Sequence, residues 1–502
     1  MDDLQNKAQR RFPRSISLLT DLYQVTMAYG FWKTGIRNKE AVFHLFFRKN
    51  PFQGGYTIAC GLEDVILFLL RFRFEEDDLD YLSGLCGNDR KPLFEASFLD
   101  YLRGIRFSCD IDAVPEGTVV FPQEPLLRIQ GPIMECQLLE SALLNLLNFQ
   151  SLVATKASRV CLAARGEPVF EFGLRRAQGI DGALAASRAA HIGGCDGTSN
   201  VLAGKLFGIP VRGTHAHSWV LAFADELEAF KAYAEVLPNN CVFLVDTYDS
   251  LEGVRRAVEI GRWLRSHGHE MMGIRLDSGD LAYLSGEARK ILDAAGFEKA
   301  VIVGSNDLDE HIITSIKDQG GAINVWGVGT RLATAYDDPA LGGVYKLTAI
   351  RPNGGEWEYK IKLSEQSFKI SAPGIQQVRR YRRGGEFVAD AIFDLQLGLQ
   401  EPCLLIDPMD ITRRKLVARG TEYQDLLVPV FRKGERVYAP PTLAEIRQRR
   451  EIQLTSFHSG VKRFVNPHQY PVGLEKKLHD LKTNLILQAR GLGNNNNDEA
   501  NK

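Results

Sequence analysis

An α/β fold organised around a β/α barrel is what this sequence predicts, and three observations predict it. Short apolar runs recur with helical patterns between them, and from residue 209 on they start roughly 23–32 residues apart, the cadence of repeated βα units on a parallel sheet. Each run gives way to glycine or compact polar residues, as buried strands do where they empty into loops. Those endings carry Arg, His, Asp, Ser, Asn and Gly in turn, which is expected where the C-termini of barrel strands converge on one mouth. The chain of 502 residues is 45% hydrophobic and 25% charged, enough for two or three domains with real cores. Its 61 basic and 62 acidic residues nearly cancel, which argues against nucleic acid as a partner.

Taken in order, residues 1–14 are polar and expected to be mobile. Residues 18–31 place apolar side chains at helical spacing, with Thr20 or Asp21 as the cap. Residues 41–48 (AVFHLFFR) are aromatic-rich and alternate like a strand. Helical patterns fill 61–74, 77–85 and 91–102, and 119–132 has the Pro and Gly punctuation of short strands. These elements make an N-terminal α/β domain, 1–134. A long amphipathic helix from residue 135 opens the barrel domain, 135–350. Hairpins follow, with Asn353, Gly354 and Gly355 as turn residues, in a strand-rich and then helical C-terminal extension, 351–490. Residues 491–502 (GLGNNNNDEANK) are low in complexity and expected to be disordered.

Six strand endings supply the candidate chemistry. Residues 169–172 end in Gly173, Leu174, Arg175 and Arg176; 209–211 end in Arg212, Gly213, Thr214, His215, Ala216 and His217. Residues 241–245 lead to Asp246 and Thr247, and 272–274 lead to Arg275, Leu276, Asp277, Ser278, Gly279 and Asp280. Residues 301–303 lead to Gly304, Ser305 and Asn306, and 324–326 to Gly327, Val328, Gly329 and Thr330. The last turn offers bare N–H groups and a hydroxyl, the materials of a phosphate nest; Gly193 to Ser199 has the same potential. Arg175 and Arg275 are rigid forks for carboxylate or phosphate. Asp277 and Asp280 can accept from ribose hydroxyls or reach magnesium, and for each of these residues an ion pair between neighbouring units is the competing role. A loop histidine can serve as acid, base or nucleophile.

Other features read as structural. Eight cysteines without a CxxC pair fit a reducing cytoplasm. His267 and His269 beside Glu270 lack further metal ligands nearby and read as a polar connection after a helix. The arginine clusters at 378–383 and 447–450 read as solvated faces. The charged N-terminus is no signal peptide, and the most apolar segments fall short of a membrane span.

The series FEFGLRRAQG, GGCDGTSNVLAG, GTHAHS, LVDTYDS, GIRLDSGDL and GVGTRLATAYDDPALGGVYKL, with LLTDLYQVTMAYG near the start, resembles the nicotinate phosphoribosyltransferase family over residues 16–450. The resemblance implies an irregular barrel of the type II phosphoribosyltransferase kind. It also implies joining of nicotinate to phosphoribosyl pyrophosphate, giving nicotinate mononucleotide and pyrophosphate, a salvage step toward NAD. ATP as co-substrate is coupled through a phosphorylated histidine, matched by His217, with Mg2+ present. Nicotinate is expected at Tyr23, Thr214 and Arg275, with Tyr23 supplied by the neighbouring subunit of a homodimer. Phosphoribosyl pyrophosphate is expected at Arg175, Asp246, Asp277, Ser305, Asn306, Gly327, Gly329, Thr330 and, in KISAPG, Ser371, where relatives often have Thr. Ser199 stands where amide-using relatives place an Asp, which favours the acid substrate. A sugar-phosphate isomerase or aldolase would need a Schiff-base Lys or lone Glu base at a strand end, and a silent sensor would have lost His217 or Arg275; neither condition is met.

Overall fold

The computed structural model describes residues 14–352, 354–366 and 369–492, and the chain forms two compact units, Met1–Ser151 with Ala340–Lys502, and Leu152–Pro339. The expected mobile start and disordered tail fall almost wholly outside the described residues. The division follows sheet pairing rather than the consecutive segments 1–134, 135–350 and 351–490, because both ends of the chain enter one sheet.

In the first unit that sheet has seven strands, in the order Glu358–Tyr359, Gly343–Arg351, Glu40–Phe47, Leu127–Pro132, Asp110–Ala113, Val428–Arg432 and Glu435–Arg436. Glu40–Phe47 is buried at every position after its first, so an apolar run serves where a one-sided strand would alternate. Its one polar interior residue, His44, is satisfied on both ring nitrogens: Nδ1 lies 3.0 Å from Thr348 Oγ1, and Nε2 accepts the Gln376 N–H at 3.1 Å. A second sheet of six strands comes from residues 376–475. Here the solvated-face reading of 378–383 needs correction. Strand Gln376–Arg383 buries Arg380 completely, against Asp390 (Nη2 to Oδ2, 2.5 Å) and the Val119 carbonyl (2.8 Å). The strand is covered on both faces, with Arg380 and its neighbour Tyr381 both buried, and a buried guanidinium survives only when its donors are matched in this way.

The second unit is the barrel. Its strands are β1 (Val169–Glu171), β2 (Gly197–Thr198), β3 (Val242–Leu244), β4 (Gly273–Leu276), β5 (Val301–Gly304) and β6 (Val325–Val328), all parallel to their neighbours in the order β2-β1-β6-β5-β4-β3. The chain therefore winds around the sheet in sequence, and the β6–β1 ladder joins its last strand to its first. The expected strand at 209–211 is reduced to one bridge, Val211 beside Thr198. Pro210 is the cause, since it has no N–H for a ladder; its carbonyl accepts from Thr198 at 3.0 Å. Helices Ser250–Ser266, Leu281–Ala294 and Glu310–Asp318 connect later strands, each capped by an aspartate (Asp249, Asp280, Asp309) that accepts backbone N–H groups of the first turn.

Candidate active site at the strand ends

The C-terminal ends of β3, β4 and β5 and the 212–217 loop meet around Arg275. Arg275 is the penultimate residue of β4, and three of its donors are engaged. Nε donates to Ser305 Oγ at 2.8 Å, Nη1 to Thr214 Oγ1 at 3.1 Å and Nη2 to Asp277 Oδ1 at 2.7 Å. A guanidinium has five N–H groups, so one remains on each terminal nitrogen, the pair that grips a carboxylate. The Phe172 ring lies 5.7 Å from the guanidinium carbon. Burial alone would raise the Asp277 carboxyl, but the Ser305 hydroxyl and the Arg275 charge outweigh it and hold the group below the ordinary value.

A second centre adjoins the first. Asp246 follows β3, and its Oδ2 accepts the Asp277 N–H at 2.8 Å and the Ser278 hydroxyl at 2.7 Å. Its Oδ1 is buried without a hydrogen bond and lies 3.9 Å from His217 Nε2. The other nitrogen of His217 lies 3.2 Å from Thr247 Oγ1. His217 begins the short helix His217–Leu221, and its side chain is 41% exposed, open to a reagent from solution. The imidazole is thus oriented by a hydroxyl and faced by a carboxylate, as an activated nucleophile requires.

Thr214, His217, Asp246, Arg275, Asp277 and Ser305 are therefore brought together. Asn306 adjoins Ser305 with φ 119°, strained backbone of the kind concentrated at functional sites. Arg175 is exposed in the turn after β1, and Asp280 spends Oδ1 on the cap of Leu281–Ala294. Among the described residues no three His, Cys, Asp or Glu side chains gather to hold a metal. Tyr23, half exposed on helix Leu22–Lys33, and Ser371, a buried hydroxyl accepting the Lys362 N–H at 3.2 Å, both belong to the first unit.

The glycine signals change meaning. Gly327 is inside β6, where a Cβ would sit 2.7 Å from the Phe172 ring, and Gly329 precedes the turn that begins at Thr330. At Gly193 and Gly197 a Cβ would meet the carbonyls of Ala154 (2.4 Å) and Pro210 (2.5 Å), so packing explains both, and 193–199 is a helix end and a strand rather than a phosphate loop. Ser199 follows β2 and its N–H donates to the Glu171 carbonyl at 2.9 Å. Sequence reasoning missed Thr247 as the partner of His217; its signal was a hydroxyl next to Asp246 at the same strand end. The His267 reading holds: its Nδ1 lies 2.8 Å from the Trp263 carbonyl after helix Ser250–Ser266.

Comparison with known proteins bears on the same residues. The N-terminal domain of nicotinate phosphoribosyltransferase matches residues 18–148, the nicotinate phosphoribosyltransferase family matches 168–365, and the C-terminal domain matches 376–482. The chain is 43% identical to the nicotinate phosphoribosyltransferase of Bacillus subtilis, over 94% of this chain and 97% of the relative. It is 34% identical to the Homo sapiens protein of that name, over 93% and 96%. The crystal structure of human nicotinic acid phosphoribosyltransferase superposes with a TM-score of 0.81 at 33% identity, covering 93% of this chain and 99% of that one.

Proposed function

The chain belongs to the nicotinate phosphoribosyltransferase family, and on that premise we propose how its site works. The enzyme joins nicotinate to phosphoribosyl pyrophosphate. The ring nitrogen of nicotinate bonds to the anomeric carbon, the bond from that carbon to pyrophosphate breaks, and its electron pair leaves with pyrophosphate. No proton is transferred, so positioning and charge stabilisation are what the protein supplies.

Arg275 grips the nicotinate carboxylate with its two remaining donors, and Thr214 closes the same pocket. The observation that carries this assignment is that Arg275 is fixed by three protein partners while its fork stays available. Asp277, Ser305 and Asn306 face the ribose, and Arg175, Gly327, Gly329 and Thr330 complete the phosphoribosyl pyrophosphate site of this unit. Ser199 leaves the pocket without the carboxylate that would repel nicotinate. A ring nitrogen of His217 bonds to the γ-phosphorus of ATP, the bond from that phosphorus to the bridging oxygen breaks and its electron pair leaves with ADP, and water later takes the phosphoryl group off as inorganic phosphate; Thr247 orients the ring and Asp246 faces it.

Magnesium fits as an ion carried by the substrates' phosphates, because Asp277 and Asp280 are the candidate side-chain ligands and each already has an oxygen engaged; Mg2+ favours one or two carboxylates with phosphates and water. When bound it would neutralise charge on the leaving pyrophosphate. A homodimer sharing its sites is supported by the exposed face formed by Leu19, Leu22, Tyr23 and Met27, from which Tyr23 would stack on a partner's nicotinate. A reducing cytoplasm suits eight cysteines of which none forms a disulfide, and no helix among the described residues is long and apolar enough to cross a membrane. The test supplies nicotinate or nicotinamide with phosphoribosyl pyrophosphate, with and without ATP, and identifies the mononucleotide. Nicotinate mononucleotide formed faster with ATP is the expected result; the amide product, or indifference to ATP, overturns the corresponding part.

A further inference from the structure

The barrel has one seam without a ladder. Going round the sheet, every neighbouring pair from β2 through β1, β6, β5 and β4 to β3 is hydrogen-bonded backbone to backbone, and Val211 extends the β2 side by one bridge. Between the Val211 segment and β3 no ladder forms among the described residues. A side chain stands in its place: the Leu244 N–H of β3 donates to His215 Nε2 at 3.3 Å.

His215 is well placed to act as that missing backbone acceptor. It is only 8% exposed and packs edge-on to Tyr233, 5.0 Å between centroids, and near Phe230 at 6.1 Å, both on helix Glu226–Val236. Because Nε2 accepts, Nδ1 carries the hydrogen, and it points to the Ala216 carbonyl at 3.3 Å. The main chain of the same residue ties in the substrate side, since the Thr214 hydroxyl donates to the His215 carbonyl at 3.2 Å while accepting from Arg275. His215 thus lies in the loop between Thr214 and His217 and is pinned to the strand that leads to Asp246.

We propose that His215 is a positioning residue that closes the barrel seam, and that the placement of Thr214 and His217 depends on its Nε2 accepting the Leu244 N–H. The proposal rests on the reading of Thr214 and His217 given above. Its physical consequence is simple: an aromatic ring that fills the same space without an acceptor leaves a buried N–H unpaired, which is costly, and frees the loop at its midpoint. Protonation has the same effect. The groups facing the imidazole are Arg275 on β4, His217 on its own loop and Tyr233 on the packed helix; burial first, then the Arg275 and His217 charges, disfavours the imidazolium. The folded protein thus keeps His215 neutral through the ordinary imidazole value of 6.5, and the contact is lost only at a lower pH, where the buried ring finally takes up a proton.

The test compares His215→Phe, which keeps the ring, with His215→Gln, which restores an acceptor near Nε2. Backbone hydrogen exchange of a peptide covering 242–246 is read first, because it does not depend on any activity. Exchange about tenfold faster or more in the Phe variant, with recovery in Gln, is expected; equal exchange in Phe and wild type overturns the proposal, as does a Gln variant no better than Phe. In the transfer assay the Phe variant raises KM for nicotinate and lowers ATP coupling together, because one loop holds both residues. A wild type that protects 242–246 but makes no nicotinate mononucleotide refutes the functional reading and leaves the seam intact, so the two failures are separable. Should the Phe variant not fold, wild-type exchange carries the test: protection of 212–217 and 242–246 holds through pH 6.5 and then falls together at lower pH while helix Leu281–Ala294 is unchanged; loss of the two segments at different pH, or protection of both kept until that helix itself opens, overturns it.

Discussion

Replacing Arg275 with alanine isolates the nicotinate clamp. The side chain has two donors left after Ser305, Thr214 and Asp277 are served. Each charge-assisted bond to a carboxylate contributes about 1.5–3 kcal/mol, and roughly 1.4 kcal/mol is a factor of ten, so losing two predicts a nicotinate KM higher by about 100-fold to 10,000-fold. The upper part of that range is reduced by water entering the vacated space. A complication follows from the structure: Asp277 loses its partner at 2.7 Å while its side chain stays only 28% exposed. The double variant with Asp277→Asn removes that burden and should recover stability without recovering affinity for nicotinate. The assay is mononucleotide formation against nicotinate at saturating phosphoribosyl pyrophosphate, paired with ATP hydrolysis against ATP. The reasoning fails if KM for ATP rises as much as KM for nicotinate, or if nicotinamide is still rejected as strongly as before.

Three further outcomes are expected. His217→Ala removes ATP coupling and leaves slow ATP-independent transfer, measured as ATP hydrolysed per mononucleotide formed; full coupling would contradict the assignment. Gly327→Ala forces a methyl against Phe172 at 2.7 Å and should destabilise by about 1–3 kcal/mol, read by denaturant unfolding, with Phe172→Leu as the compensating change. Below pH 6.5 the unfolded chain protonates His44 while the folded chain does not, because burial and then Arg128 depress it. Stability is therefore full above 6.5 and declines by up to about 1.4 kcal/mol per pH unit below it; His44→Gln should flatten that slope.

The barrel was legible because periodicity survives burial: apolar runs of three to five residues, then polar endings, became β1 and β3 to β6 with shifts of a residue or two. What chemistry sits at each strand end was legible for the same reason, and Thr214, Asp246, Arg275, Asp277 and Ser305 do converge. Glycines were read less well. Sequence shows that a side chain is missing but not what fills its place, and at Gly327 the Phe172 ring does. Arg380 misled for a related reason, since its buried partner Asp390 lies on the next strand and only pairing reveals it. The two-unit division was hidden because strand pairing between residues 40–47 and 343–351 leaves no local trace.

That pairing has a consequence for how the chain is made. During synthesis the aromatic-rich strand Glu40–Phe47 emerges long before its neighbour Gly343–Arg351, and the whole barrel is translated in between. Until the ribosome passes residue 351, one edge of that strand is open and sticky. The barrel, by contrast, has its ladders within one continuous stretch, so it is the part able to fold early. Nascent chains stalled inside it would offer an apolar edge to chaperones or to one another, and slow final closure by distant contacts is the expected signature.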